Sequence, residues 1–522
     1  MITSSSPLAA THASGFDVIV AGAGPVGLLL SCELALAGVC VLVLEREPCP
    51  DSPLKAPPLG LRGLSVATGE ALHRRGLLDE LLVAAEASLA ASGAVARAAK
   101  AGAPRKAQAG HFAGIGIDAA KIDLSRHAYR LPNPASTNFA ADMRSVESVL
   151  AARAVALGVE IRRGLAVDAL HDDGDVVCVR AGGEVFAAPW LVGADGGRSS
   201  VRRLAGFDFV GTEPEFTAYL AVVDLADPDK LLPGRNTTSH GFYFNQPGQI
   251  AMADFDGGAF DRSEAITREH LQAVLRRVSG TDVTLRDVPL ATSFTDRARQ
   301  ASAYRRGRVL LAGDAAHVHS ALGGQGLNAG LGDAMNLGWK LAATVHGSAP
   351  AGLLDTYQAE RHPVGQWLLD WTRAQAALMR PGAHARALEG IVRDLVGTVD
   401  GATYFAEQLW GLALRYELGE AHPLAGCGAP DFEFDDGSRL ADALRDGAGV
   451  LVDFSASVPL RDLAAAWDGR IAYVGAGASD TCGLAALLVR PDGVVAWASD
   501  DLPDVAAAQR AATRWFGAPA RS

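Results

Sequence analysis

Gly22-Ala23-Gly24-Pro25-Val26-Gly27 spaces three glycines as GxGxxG, and an acid, Glu45, ends the apolar run that follows. In a dinucleotide site each of these residue types has a use. The first glycine permits a tight turn, the second lets a pyrophosphate approach the backbone, and the third lets a helix pack closely on a strand. The helix N-terminus offers amides and a positive dipole end to phosphate, and Glu45 can accept hydrogen bonds from ribose hydroxyls. Asp195-Gly196, with Arg198 close by, ends a second apolar run; taken alone it reads as a type I turn. A third junction brings Gly313-Asp314, then His317, then Gly323-Gly324-Gln325-Gly326-Leu327-Asn328. A strand that delivers an acid, then a glycine loop, then a helix N-terminus makes a place where Asp314 can hold a polyol chain while backbone amides face an electron-rich ring oxygen. Gly475-Ala476-Gly477 has Asp480 where a third glycine would stand, and reads as packing. His317 and His319 read as structural imidazoles that cap nearby backbone.

These turns need strands to present them. Residues 16–21 and 39–44 read as strands flanking a helix at 28–36, a βαβ unit; further buried strands are expected at 187–192 and 309–312, with a long helix over 326–345. From 209 to 294 the pattern turns to short alternating segments with one amphipathic helix near 263–278, which predicts a mostly antiparallel insertion. Residues 353–419 read as helical, and 430–516 as a separate α/β unit with four strands and a final helix. The Ala-rich stretch 84–109 reads as loop and helix. The expected class is α/β: a Rossmann-type domain in two parts (14–208 and 295–419, the latter with a helical connector), a β-sheet insertion (209–294) and a C-terminal domain (420–522).

Composition narrows the partners. The chain has 522 residues, 49% apolar and 20% charged, which is enough for several cores. Net charge is -12, and no run of basic residues exceeds short pairs such as Arg202-Arg203 and Arg305-Arg306, so a nucleic-acid surface is not expected. Six cysteines form no CxxC or ligand-like array, which argues against a disulfide framework or a metal site and suits a reducing compartment. Residues 1–14 have no basic residue and no apolar core, and the apolar stretch 16–44 is broken by glycines, Pro25 and Glu33, so neither a leader nor a membrane span is expected. A cytoplasmic location follows. The 58 glycines are an excess that clusters at the turns above.

The three junctions, in this order and spacing, resemble the class A FAD-dependent aromatic hydroxylases (flavoprotein monooxygenases). Asp333-Ala334-Met335-Asn336-Leu337-Gly338-Trp339-Lys340-Leu341 and Tyr357-Gln358-Ala359-Glu360-Arg361-His362-Pro363 are similar to stretches of that family as well. The likeness covers nearly the whole chain. It is closest to the longer members, phenol hydroxylase, rifampicin monooxygenase and polyketide hydroxylases among them, which carry a thioredoxin-like domain at the C-terminus; here that would contain Arg490-Pro491-Asp492-Gly493 and, lacking CxxC, would be structural.

The resemblance implies FAD as cofactor, with NADPH or NADH binding transiently as reductant. Gly22, Gly24, Pro25, Val26, Gly27, Glu45 and Arg46 would bind its ADP part, Arg62 and Arg144 would lie near the flavin, and Asp195 and Gly196 would sit between FAD and NAD(P)H. Asp314 would bind the ribityl chain, and Gly324, Gly326, Leu327 and Asn328 would line the ring, with Gly323 and Gly324 beside its C4a atom. The reaction implied is hydroxylation of a phenolic or polycyclic aromatic molecule by O2 through a flavin C4a-hydroperoxide, with no side chain singled out as a base. Tyr219, Phe242, Tyr243, Phe244 and His240 would either pack within the sheet or line a substrate pocket, and His111-Phe112 would form its rim. Two departures stand out: Ala321 where a proline is usual, and Met143 where a glutamine is usual, with Asp142 or Arg144 as substitutes. Baeyer-Villiger or decarboxylative oxygenation on the same fold, and a non-catalytic flavoprotein that binds a ligand, remain alternatives. A homodimer is compatible with each.

Overall fold

Val18–Ala21, Val41–Glu45 and Trp190–Gly193 are short runs of Val, Leu, Ile and Ala with nearly every side chain buried, the signature of strands covered on both faces. In the computed structural model, which describes residues 15–92 and 108–520, they form the centre of a six-stranded sheet. Its order is Arg305–Arg306, Val309–Leu311, Trp190–Gly193, Val18–Ala21, Val41–Glu45, Glu160–Arg163. All neighbours are parallel except the short edge strand Arg305–Arg306. Helix Pro25–Leu36 leaves the first strand through the glycine turn and packs along helix Gln325–Val345.

The insertion is a five-stranded antiparallel sheet, order Gly234–Thr237, Gly241–Gln246, Gln249–Asp254, Thr217–Leu225, Leu285–Thr295. Helix Arg268–Ser279 covers one face with Leu271, Val274, Leu275 and Val278. It starts later than its sequence pattern suggests because the Thr267 hydroxyl accepts a hydrogen bond from His270 N, an N-cap. Helices Asp355–Met379, Ala383–Val396 and Val399–Trp410 form the connector. The C-terminal unit is a mixed sheet, order Ile471–Gly475, Gly449–Asp453, Ala486–Val489, Val495–Ser499, flanked by helices Val458–Ala465 and Val505–Phe516. This is the βαβ-then-ββα order of a thioredoxin-like unit. Of the Ala-rich stretch, Leu78–Ala91 is helical and residues 93–107 lie outside the described residues, as do 1–14. Among the described residues no helix is long and apolar enough to cross a membrane.

A buried ionic network ties the C-terminal unit to the first domain. Arg490, fully buried, donates to both carboxylate oxygens of Glu360 at 2.8 Å and to Asp492 Oδ1 at 3.1 Å. Lys340 Nζ donates to Glu360 Oε2 at 2.9 Å and to Asn336 Oδ1 at 2.8 Å. The Arg490 guanidinium also lies 4.5 Å from the Trp515 ring centroid. Replacing Arg490 by Met leaves Glu360 and Asp492 with the Asn336 amide and, for Glu360, Lys340 as side-chain hydrogen-bond donors, and a loss of about 3–5 kcal/mol is expected in denaturant unfolding; an unchanged midpoint would refute the role of the network.

Burial, with Arg490 next, pushes Lys340 down from 10.5 to about 7. Between those two values the unfolded chain holds a proton that the folded chain has lost, so this group makes stability rise with pH across that window. The variant Lys340→Met should lose a rise of up to about 1.4 kcal/mol per pH unit, read from unfolding at pH 7 and pH 9.

Candidate flavin site

The first glycine turn is built as its spacing requires. Gly22 has φ +107° and a Cβ there would meet Ala194 O at 2.4 Å, so the turn presses against the Asp195 junction. A Cβ on Gly27 would stand 2.0 Å from Gly22 O, which enforces the close approach of helix to strand. Around Gly24, by contrast, nothing lies within 4 Å of the Cβ position, and no side chain caps the helix that starts at Pro25. Open space beside uncapped first-turn amides is what an anion needs. Glu45 braces the turn: its Oε2 accepts from Ala23 N at 2.7 Å and its Oε1 from Glu47 N at 2.8 Å. Arg46 is exposed and paired with Glu47.

At the second junction Asp195 Oδ2 accepts from Ser200 N and Val201 N, capping the short helix Ser200–Leu204, while Oδ1 is buried with no partner. Arg202, for which the sequence offered no signal, spans to the third junction by donating to Gly197 O and Ala315 O, each at 2.8 Å. That junction is held from behind by Asp333, which is fully buried. Its Oδ2 accepts from Gly313 N at 3.0 Å and His317 Nε2 at 2.8 Å, and its Oδ1 from Arg361 Nε at 2.7 Å. Arg361 and His317 together outweigh burial and hold the Asp333 carboxyl below the usual range. Asp314 points the other way, into accessible space, with no hydrogen bond to any described residue. Confinement there raises its pKa, opposed mainly by His317. His319, whose Nδ1 donates to Ser320 O at 2.7 Å, is pushed down to about 4 by burial and by His317, and stays neutral at physiological pH.

Gly323 and Gly324 adopt φ +79° and +68°, and the helix opens at Gln325 with no side-chain cap. Asn328 anchors this loop: Oδ1 accepts from Ser65 N and Thr68 Oγ1 at 2.8 Å, and Nδ2 donates to Gly63 O and Gly324 O at 3.0 Å. A recess of about 230 Å³ lies in front, lined among others by Gly63, His111, Gly323, Gly324, Asn328 and Trp410. The hairpin Gln108–Phe112/Ile115–Asp118 supplies His111, whose pKa is lowered by burial and then by Arg235. Arg62 folds back to donate to Leu59 O and Leu61 O, and burial lowers its pKa. Of the two substitutes for the missing glutamine, Asp142 is fully buried and spent capping Ser145, whereas Arg144 is half-exposed and pairs at 3.6 Å with the exposed Asp51.

The models of two protein families match the chain: an FAD binding domain over residues 15–372 and the aromatic-ring hydroxylase C-terminal domain over residues 422–519. The chain belongs to the FAD-binding aromatic-ring hydroxylases. It is 45% identical over 509 residues to a monooxygenase of Claviceps purpurea, covering 96% of this chain and 98% of that one. It is 39% identical to the 12-dehydrotetracycline 5-monooxygenase/anhydrotetracycline 6-monooxygenase of Streptomyces rimosus, covering 97% and 99%. Among solved structures it superimposes on the anhydrotetracycline hydroxylase OxyS of Streptomyces rimosus with TM-score 0.83 at 36% identity, covering 97% and 100%. It is therefore an FAD-dependent monooxygenase, and its three turns fit that cofactor: an uncapped helix beside open space, an accessible carboxylate with no hydrogen bond to a described residue, and a left-handed glycine pair before a second uncapped helix.

On the insertion, strand alternation divides the aromatic residues. Tyr219 and Tyr243 do not line the recess: they face helix Arg268–Ser279, with Tyr219 Oη 2.9 Å from His270 Nε2. Phe242 points to the opposite face and packs against the cluster of Phe216, Ala218, Ala253 and Ala376. Phe244 shares that parity, and the exposed His240 precedes the strand. Removing the Asn328 amide should loosen the loop alone: Asn328→Ala is expected to cost about 1–3 kcal/mol and to raise proteolytic cleavage near Gly323. Equal cleavage in both proteins would contradict the anchoring role.

Proposed function

We propose that this monooxygenase hydroxylates a multi-ring phenolic, polyketide-like molecule at the expense of NADPH or NADH. The observation that carries the reading is the set of glycine turns at Gly22–Gly27, Asp195–Gly196 and Gly323–Gly324, the last of which lines a recess together with His111 and Trp410. Full-length relatives whose names give tetracycline intermediates as substrates support the choice of substrate class. When bound, FAD accepts electrons from NAD(P)H and activates O2 so that one oxygen atom reaches an electron-rich ring.

The chain's own work is binding, orientation and electrostatics. The amides after Gly24 hold the pyrophosphate, Glu45 takes the adenosine ribose, and Asp314 accepts hydrogen bonds from the ribityl hydroxyls. Positive dipole at the N-terminus of helix Gln325–Val345 favours negative charge on the ring system above Gly324 to Leu327. Arg62 and Arg144 would lie near the flavin, and Asp195 and Gly196 near both FAD and the transiently bound NAD(P)H. Phe242, Phe244 and neutral His111 orient the substrate and exclude water. Unpaired cysteines suit the reducing cytoplasm that supplies NAD(P)H.

Purified protein should carry one FAD, and NAD(P)H oxidation should rise with a multi-ring phenol whose product gains one oxygen atom. Asp314→Ala should weaken FAD binding at least ten-fold in a fluorescence titration without loss of fold. Protein that cannot be loaded with FAD, or FAD-loaded protein with no turnover on any phenol, would refute the proposal; a lactone product would replace hydroxylation by carbonyl attack.

A further inference from the structure

A second cavity lies away from the recess at Gly323 and is much larger than it. A partly open chamber of about 1190 Å³ lies between the FAD-binding part and the C-terminal unit, and nothing in the reading above uses it. Its walls are mainly apolar and come from every layer of the junction, with Ala71, Met335, Trp367, Leu414, Val494 and Trp515 among them. Sites that bury multi-ring ligands typically measure about 300–1,000 Å³. The chamber lies just above that range, with room for a multi-ring ligand, whereas the 230 Å³ recess holds little more than a reacting ring.

Two polar features mark the chamber as more than a packing gap. Arg415 and Arg514 line it and form no ion pair with any described residue; Arg415 donates to Ala425 O and Arg514 to Leu418 O. Trp515, 2% exposed, also lines it and its indole N–H has no acceptor. The walls therefore offer apolar surface and six arginines against four carboxylates, of which Glu70, Glu360 and Asp492 are already paired with Arg74, Lys340 and Arg490, a set complementary to a planar molecule bearing acidic phenol or enol oxygens. Ser65, Gln325 and Asn328 line both the chamber and the recess, so one layer of residues separates them.

We propose that the chamber is a second binding site for the multi-ring aromatic substrate, which waits there before crossing the Ser65–Asn328 partition to the flavin side. This rests on the substrate class proposed above. The test is equilibrium dialysis of anhydrotetracycline against the FAD-loaded full chain, comparing wild type with Ala413→Trp, which places an indole at a chamber wall away from the glycine loop. Loss of one bound equivalent in the variant, with FAD content and melting midpoint unchanged, is the expected result. The double variant R415Q/R514Q should weaken that same equivalent at least five-fold. Unchanged stoichiometry and affinity in both variants, or a wild type that binds none, overturns the proposal. Should wild type bind a single equivalent that Ala413→Trp abolishes, the chamber stands while the substrate at the flavin must be another molecule. Should turnover of the probe proceed with stoichiometry unmoved by either variant, the hydroxylase reading stands and the chamber falls.

Discussion

One buried carboxylate fixes the geometry of the site. Asp333 lies within a helix, yet it accepts from the amide of Gly313 at the end of the parallel sheet, from His317 in the next strand and from Arg361 in the following helix. Arg361 passes the constraint on to Tyr416 Oη and Ala329 O, each at 2.8 Å. A charge this deep is tolerable only with such partners, and removing any of them leaves it uncompensated. The consequence is positional. With Gly313 held from behind, Asp314 has to project forward into the trough, and helix Gln325–Val345 has to present its uncapped end beside it.

A second ionic centre does for the domains what Asp333 does for the turn. Glu360 is the neighbour of Arg361 in sequence, and it faces Arg490 and Lys340 instead. Adjacent residues of one helix therefore lock the cofactor trough on one side and the C-terminal unit on the other. The same junction encloses the chamber, whose wall includes both Glu360 and Asp492. The C-terminal unit, with no pair of cysteines to exchange electrons, contributes through this packing.

Much of the trough was legible in the sequence because its requirements fall on the backbone. Gly22, Gly27, Gly313, Gly323 and Gly324 are demanded by close approach or by positive φ, and such demands leave glycine in place whatever the neighbours are. The substrate side was legible only in part. Alternation along strand Gly241–Gln246 separates Phe242 from Tyr243, but which of the two faces the flavin depends on which face helix Arg268–Ser279 covers, a long-range fact. Asp142 looked free to replace a missing glutamine until its role as an N-cap appeared. Stretches around Asp333, Glu360 and Arg490 were recognisable by likeness alone; their reason is a network between segments more than a hundred residues apart for Arg490 and Glu360. His111 was singled out in the sequence as a pocket rim and does line the recess, whereas the chamber left no local pattern to read.

The central claim is that the Asp333 carboxylate, which need not touch the cofactor, sets the cofactor site. The direct measurement is the FAD content and melting midpoint of Asp333→Asn, which keeps the shape and removes the charge opposite Arg361 and His317. The account predicts that bound FAD falls at least ten-fold and that the midpoint drops together with it. A variant that retains full FAD at the wild-type midpoint would contradict it.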